Sequence, residues 1–351
     1  MSKTQRAALG AFLLLVLAAT GTPAASAATT LKLATLVPDG SVWDKALKEM
    51  GDEWRRATDG RVALRIYPGG VAGDETDVLR KMRIGQLHAG TLTIVGLSAV
   101  DPSFNVLGVP LFFESYDELF YVLERLRPEL ERRLEERGYV LVNWGYGGWV
   151  HFFSKSPVAT TEDLKRARIF VWGDDESDLR WWKELGYQPV PLAATDIMTG
   201  LQTGMIDVLR TTPLAALSLQ WFRQTPYMND LGLGPLTGAT IVTKKTWEKI
   251  AAGDRELLLS ISRRFEERQR TAIAAQDRLA IEQMTERGLT VTVTENRERW
   301  LELADGFGRR MRGGSVPEDV FDLAFEIRRA YREAKAEPET SGEPAATGGP
   351  R

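Results

Sequence analysis

Strand-like and helix-like segments alternate along most of the chain, and this alternation restricts the fold more than any other feature. Residues 31–36 alternate in hydrophobicity as a strand does, and Ser41 can cap a helix that runs to about Thr58. Residues 62–67 carry the next strand pattern. Such alternation predicts a mainly parallel sheet with helices on both faces. Ligands of these sheets bind beyond the carboxyl ends of the strands, so the residues after each strand are the first site candidates.

The N-terminus predicts export. Lys3 and Arg6 precede an apolar run over residues 7–21, and a small-residue cleavage pattern ends at Ala27. The run is shorter than the roughly 20 apolar residues of a stable membrane span. We therefore predict a cleavable signal peptide over residues 1–27 and a periplasmic location. A retained N-terminal anchor is the alternative.

A second α/β set follows the first. Strand patterns cover residues 150–154 and 168–172, with a helix pattern over 175–185. Glycine-rich segments at 145–148 and 232–235 flank this set. Roughly 320 residues remain after the signal peptide, more than one core usually holds, so two domains are expected. The two glycine-rich segments would then be crossings between lobes that absorb the dihedral changes of a hinge, with plain turns as the alternative.

The composition excludes several classes of protein. The chain has no cysteine, which excludes disulfides, thiolate chemistry and a lipid anchor on a mature N-terminal cysteine. Its formal net charge is −3 and it has no basic block, so it is a poor candidate for binding nucleic acid.

No arrangement of residues predicts catalysis. The two histidines, His88 and His151, lack a neighbouring nucleophile pattern, and no phosphate-binding or dinucleotide-binding glycine motif follows a strand. The acidic run 174–178 precedes a helix pattern, where acids favour the helix dipole. We therefore predict no enzyme activity, no cofactor and no metal site. An exported hydrolase that uses a carboxylate pair from Asp174, Asp175 and Asp207 is the rival interpretation.

Aromatic residues are the unusual feature of the second set. The chain has ten tryptophans, and several aromatic residues fall at strand ends or glycine turns, where a cleft would open: Trp144, Tyr146, Trp149, Phe170 and Trp172. Core packing is the ordinary role of such residues. A pocket lined by them would bind a ligand through apolar area.

A set of segments, in order along nearly all of the mature chain, resembles the substrate-binding proteins of tripartite ATP-independent periplasmic (TRAP) transporters, the DctP-like family. The matching segments are residues 31–34, 54–62, 67–70, 82–85, 157–165, 185–190 and 201–207.

The resemblance implies a two-lobed periplasmic binding protein fold of the α/β class, with a long helix that braces both lobes. It also implies a small-molecule solute and delivery to a TRAP membrane permease. The corresponding prediction is lobe I over residues 28–145, lobe II over 146–234, a return to lobe I with long helices over 235–335, and a disordered tail over 336–351.

The chain departs from the family at two positions. Relatives that bind organic acids carry an arginine a few residues after the segment that matches Asp163 to Lys165, and a second one before the strand that follows the crossing. By counting, the first position is Phe170 here, and the second falls at or near Trp149. A carboxylate buried without a cation is costly, whereas aromatic walls favour apolar area. The departures therefore predict an apolar or amphipathic solute. An organic acid held by a relocated arginine, Arg168 or Arg210, is the alternative.

Eight residues are predicted to contact the solute. Trp43 and Thr93 would contribute from lobe I, Tyr146, Trp149, Phe170 and Trp172 from the hinge and lobe II, and Arg210 and Thr212 at the rim or floor. An apolar solute with a low free concentration would call for an additional periplasmic partner protein that feeds the receptor. A non-transport ligand sensor that presents a surface to another protein is the remaining alternative.

Overall fold

The computed structural model describes residues 28–173 and 176–336. The predicted signal peptide, the predicted tail beyond residue 336, and the acids Asp174 and Asp175 lie outside the described residues. No helix within these ranges is both long and apolar enough to cross a bilayer.

The strands of the described part are β1 (Thr29–Thr35), β2 (Val62–Tyr67), β3 (Ala89–Thr93), β4 (Tyr139–Ser154), β5 (Arg168–Trp172), β6 (Gln188–Leu192), β7 (Val208–Thr211), β8 (Tyr227–Asn229), β9 (Gly234–Thr243) and β10 (Thr290–Thr292). Its α-helices are α1 (Val42–Ala57), α2 (Glu75–Arg83), α3 (Ile94–Val100), α4 (Tyr116–Glu136), α5 (Thr161–Lys165), α6 (Glu176–Glu184), α7 (Ile197–Thr203), α8 (Pro213–Ser218), α9 (Lys244–Trp247), α10 (Ala252–Thr285), α11 (Arg297–Met311) and α12 (Glu318–Ala336).

The strands follow the order β2-β1-β3-β9-β4-β7-β5-β6, and β8 joins β4 to β10. The pairs β1–β2, β1–β3, β5–β6 and β5–β7 are parallel, whereas β9 runs antiparallel to both β3 and β4. We call the part around β1, β2, β3 and β9 lobe I and the part around β5, β6, β7 and β8 lobe II. The predicted α/β class is confirmed, while the residue boundaries of the lobes stay predictions.

Strand β4 belongs to both lobes. Its first part pairs with β9 as far as Val150, and residues 151–154 pair with β7. The alternative of a plain turn at residues 145–148 is therefore wrong, because the ladder with β9 continues through these glycines. A register shift between Tyr146 and Gly148 marks a bulge there. The extra residue bends the strand at the point where it passes from one lobe to the other.

Helix α1 shows how the sequence pattern sets the local structure. The Ser41 hydroxyl accepts a hydrogen bond from the Asp44 backbone N–H at 3.2 Å, which is the predicted cap. Trp54 is fully buried, and its indole N–H donates to the Ser262 hydroxyl of α10 at 3.2 Å. The apolar face of α1 is therefore packed between the sheet of lobe I and α10.

Helix α10 is the longest element, with 34 residues. Its first half packs in the lobe I cluster around Leu258 and Phe265, and Met284 near its end packs in the lobe II cluster around Phe153. The long helix contacts both lobes.

Candidate functional site

The carboxyl ends of the parallel strands of the two lobes face each other, and the loops that follow them touch. The Asp74 carboxylate, at the start of α2, accepts a hydrogen bond from the backbone N–H of Ala194, in the loop after β6, at 3.0 Å. Beside it, a Cβ added to Gly70 would lie 2.9 Å from the Thr195 methyl group. The structure therefore shows the cleft between the lobes with its rim closed at this point.

We expect Asp74→Ser to loosen this closure. Asp74 also caps α2 by accepting from the Glu75 N–H at 2.8 Å, a bond that serine can keep, but the shorter side chain cannot reach Ala194. A charge-assisted hydrogen bond contributes about 1.5–3 kcal/mol, less at an exposed rim, so the open fraction should rise roughly fivefold to tenfold. Because the chain has no cysteine, spin labels at Val71→Cys and Met205→Cys report the lobe separation without background.

The control for this measurement is Asp74→Asn, which keeps an oxygen acceptor and loses only the charge. It should lie between the wild type and Asp74→Ser in the measured distance distribution. Equal distributions for all three proteins would show that the Asp74–Ala194 contact does not influence closure.

On the lobe I side, Thr93 is held by a buried carboxylate. Glu75 accepts from the Thr93 N–H at 2.7 Å, from the Thr93 hydroxyl at 2.9 Å and from the Gly96 N–H at 2.7 Å. Burial raises the pKa of Glu75 to about 7, against the lowering effect of these donors. Thr93 also caps α3 through Val95. Its hydroxyl is thus engaged inside the protein in this closed arrangement.

Trp43 connects lobe I to the crossing strand. Its indole N–H donates to the backbone carbonyl of Tyr146 at 3.0 Å, and its ring packs on the edge of the large lobe I cluster. Trp43 lies at the start of α1, directly after the loop that follows β1. Trp43 is therefore near the carboxyl end of β1, while its contact with a solute stays a prediction.

On the lobe II side, Phe170 and Trp172 share one face of β5, with ring centroids 5.7 Å apart. Phe170 is only 3% exposed and packs in an apolar cluster with Phe153 and Leu209. Trp172, the last residue of β5, is partly buried on the edge of that cluster and pairs with Leu192 of β6, two residues before Ala194. The two predicted aromatic residues are therefore neighbours, with Trp172 nearer the loop that contacts Asp74.

Arg210 and Thr212 are not part of the cluster around Phe170. The Arg210 guanidinium is 5.4 Å from the ring centre of Trp182, and its register partner on β4 is Phe152. Both Phe152 and Trp182 belong to the cluster on the face of the sheet opposite to Phe170. Thr212 is fully buried and caps α8 by accepting from the Ala215 N–H at 3.2 Å.

Arg168 is engaged at the other end of β5. Its guanidinium donates to both carboxylate oxygens of Asp207, at 2.7 and 2.8 Å. Arg168 begins β5 and Asp207 precedes β7, so this pair lies at the amino ends of parallel strands, away from the cleft. Asp207 is therefore not placed for the carboxylate chemistry of the hydrolase interpretation, whose other two acids lie outside the described residues.

Tyr146 and Trp149 lie on either side of the β4 bulge. The Tyr146 ring meets Phe120 edge-on at 5.0 Å and lines a crevice of about 310 Å³ between α4 and α10, together with Arg127 and Arg270. The Trp149 ring meets Tyr116 edge-on at 5.1 Å. These two aromatic side chains therefore pack at the junction of the lobes, and not beside Phe170.

The structure thus brings Phe170 and Trp172 together and links Trp43 to the Tyr146 backbone, but it does not gather all eight predicted residues around one space. Their roles as ligand contacts stay predictions. Sequence reasoning missed Asp74 and Thr195 as contact residues between the lobes. Asp74 carried a usable signal, because it ends a glycine-rich loop directly after β2. Within the described ranges, no group of three or more His, Cys, Asp or Glu side chains is placed to hold a metal ion.

The chain resembles known proteins in both sequence and fold. A family model described as DctP, bacterial extracellular solute-binding protein family 7, matches residues 33–310. The 2,3-diketo-L-gulonate-binding periplasmic protein YiaO of Escherichia coli is 23% identical over 76% of this chain and 81% of its own length. A solute-binding protein of Chromohalobacter salexigens is 24% identical over 61% of this chain and 64% of its own length.

Solved structures agree on the fold. A TRAP periplasmic solute-binding protein of Bradyrhizobium in complex with galacturonate superposes with a TM-score of 0.78 at 21% identity, covering 86% of this chain and 100% of that one. An extracytoplasmic solute receptor of Bordetella pertussis that binds pyroglutamic acid gives a TM-score of 0.77 at 20% identity, with the same coverage. These superpositions confirm the predicted two-lobed fold.

Proposed function

Since this chain belongs to the DctP family of bacterial extracellular solute-binding proteins, family 7, we propose that it is the solute receptor of a TRAP-type transporter. It binds a small molecule between the lobes and delivers it to a membrane permease. The observation that carries this proposal is the contact of Asp74 with Ala194, which joins loops at the carboxyl ends of strands in the two lobes. The family consists of receptors that bind solutes without converting them, so the protein is not an enzyme.

The solute that we propose is apolar or amphipathic. YiaO is named for a sugar acid, and the two solved relatives hold galacturonate and pyroglutamic acid. By the counting that follows from the family resemblance, the arginine of acid-binding members corresponds to Phe170 in this chain, which is 3% exposed in an apolar cluster. Arg168 is engaged by Asp207 at the far end of β5, and Arg210 stacks over Trp182 on the opposite face of the sheet.

The physical argument for this solute is one of desolvation. A carboxylate enclosed without a cation loses several kcal/mol of hydration. Apolar area that is removed from water on aromatic walls contributes about 25 cal/mol per Å². Trp172 and Trp43 would supply such walls from lobe II and lobe I. An organic acid held by Arg210 would require that guanidinium to leave Trp182.

Under this proposal the lobes have the predicted boundaries: residues 28–145, 146–234 and 235–335. Residues 1–27 direct the chain to the periplasm and are removed there. Beside the permease, an additional periplasmic protein would supply a solute that is scarce in free form.

Mass spectrometry of the natively purified protein tests the proposal. Organic extracts of the protein are compared with extracts of the same chain refolded from denaturant. We expect a stoichiometric apolar or amphipathic compound that is absent from the refolded sample and raises its melting temperature when added back. A bound hydrophilic acid would contradict the proposed solute class, and turnover of the compound would contradict the receptor assignment.

A further inference from the structure

One buried carboxylate lies where three elements meet at the crossing between the lobes. Asp277 is on α10, between the half of this helix that packs in lobe I and the half that packs in lobe II. It is 7% exposed. Its Oδ2 accepts from the Tyr116 hydroxyl of α4 at 2.7 Å and from the backbone N–H of Trp149, on β4, at 2.6 Å. A single side chain thus ties α10, α4 and the crossing strand together.

The backbone beside Asp277 is shaped to admit it. Gly148 has a φ of +111°, and a Cβ at this position would collide with the Asp277 carboxylate. Only glycine has ready access to such a conformation and leaves the space. The Trp149 indole lies against Gly232 of the second crossing segment, where a Cβ would likewise collide. Both crossings between the lobes are therefore packed around the Asp277–Trp149 contact.

Asp277 lacks the partners that usually stabilise a buried charge. Its Oδ1 accepts no hydrogen bond from the described residues. The neighbours one turn away on α10 are apolar or small (Ile273, Ala274, Ala280 and Ile281), and the adjacent Arg278 is exposed to solvent. From α4, the Tyr116 hydroxyl faces Asp277. From β4, the backbone N–H of Trp149 faces it, and the Trp149 ring lies against Gly232 of the second crossing.

These contacts set the protonation behaviour of the carboxyl. Burial raises the pKa of Asp277 to about 6, and the hydrogen bonds from Tyr116 and Trp149 oppose this rise. An exposed aspartate has a pKa near 3.9. A hinge that opens and lets water reach the carboxyl would return it toward that value.

We propose that Asp277 is the positioning residue of the hinge and that the lobes close with uptake of a proton on its carboxyl. The proposal deepens the proposed receptor function, on which it rests, by assigning a regulator of its closure. Because the closed form binds the proton more tightly than the open form, closure is favoured as the pH falls. Between pH 7.5 and pH 5, a closed-state pKa near 6 and an open-state pKa near 3.9 increase the ratio of closed to open protein about tenfold.

Distance measurements on the spin-labelled receptor (Val71→Cys with Met205→Cys), without added solute, test this proposal across pH 5 to 8. For the unsubstituted hinge, the ratio of closed to open protein should be nearly constant above about pH 7. It should rise as the pH falls below about 6.5 and be about tenfold higher at pH 5. Asp277→Asn keeps an oxygen acceptor and stays neutral, so its closed fraction should not depend on pH. An Asp277→Asn receptor that still follows the wild-type pH profile would overturn the proposal, as would a wild type whose lobe distance is constant over this range.

Tyr116→Phe provides a second and independent readout. Loss of the Tyr116 hydroxyl removes a donor that lowers the Asp277 pKa, so the rise of the closed-to-open ratio should begin at a higher pH. If the Tyr116–Asp277 contact had a merely structural role, the variant would change this ratio by the same factor at every pH, and that result would also overturn the proposal. Because no solute enters these measurements, they remain decisive whatever the extracts of the native protein contain.

Discussion

Phe170→Arg is expected to lower the free energy of unfolding by about 3–5 kcal/mol, the range for an uncompensated buried charge. Phe170 is 3% exposed, and its neighbours in the lobe II cluster are apolar: Phe153, Leu209, Ile197 and Trp172. An arginine at this position would find no carboxylate among these side chains. Urea denaturation followed by tryptophan fluorescence measures the change, with the slope of the transition checked against the wild type.

Phe170→Met is the matched control, because it keeps a long, flexible apolar side chain and adds no charge. It should lower the free energy of unfolding by no more than about 1.5 kcal/mol. If Phe170→Arg were as stable as Phe170→Met, position 170 would open to water, and the argument for an apolar wall at β5 would fail.

The same variant also tests which class of solute the cleft accepts, when organic acids are added to it. Galacturonate or pyroglutamate added to Phe170→Arg would raise its melting temperature if the new guanidinium reached the cleft and paired with a carboxylate. The wild type should show no such rise. Stabilisation of the wild type by either acid would favour the alternative in which Arg210 leaves Trp182 to bind the solute.

The sequence predicted the presence of helices and strands better than it predicted how far each strand continues. Ser41 was recognised as a helix cap because its hydrogen bond is local, and the capped helix is present. Residues 145–148 were interpreted as a crossing between lobes, or alternatively as a plain turn, because glycine dominates them. The pairing partner that keeps them extended, β9, lies about ninety residues further along the chain, and local propensity carries no information about it.

The direction in which side chains point from a strand was the second feature that could not be predicted from the sequence. Phe170 and Arg210 lie on neighbouring strands, yet they face opposite sides of the sheet. A shift of one residue reverses the face of every side chain in a strand, and one sequence does not fix the register. Of the aromatic residues predicted at strand ends or glycine turns, Trp172 does end a strand, whereas Tyr146 and Trp149 lie within β4 and Phe170 lies in the middle of β5. Their grouping around a single space could therefore not be derived.

Asp277 had no signal of its own in the sequence. It is one acid in a long helix with many charged residues, and its two hydrogen-bond partners are 128 and 161 positions away. Only the folded chain shows that its helical neighbours are apolar and that Gly148 makes room for it. Groups whose environment is set by distant segments are the ones that sequence reasoning misses.

Trp172→Ala is expected to weaken binding of the co-purified solute by about 2 kcal/mol, or roughly 30-fold in the dissociation constant. Trp172 ends β5 on the same face as Phe170 and pairs with Leu192, two residues before Ala194, so its partly buried ring lies at the end of the strand that leads to the rim. Loss of the ring removes apolar contact with a solute in the cleft. Isothermal titration of the refolded receptor with the extracted compound measures the change.

Trp221→Ala is the control for Trp172→Ala. Trp221 is also a partly buried tryptophan on the edge of the same lobe II cluster, but it lies in the helical turn 221–223 and not at a strand end. Both variants remove one indole from the cluster, so a general loss of packing would weaken binding equally in the two proteins. A large loss confined to Trp172→Ala would place the solute against β5, because only that indole stands at the carboxyl end of a strand. If Trp172→Ala and the wild type bound the compound equally tightly, the solute would not contact the aromatic end of β5. The reason to expect an apolar solute would then be lost.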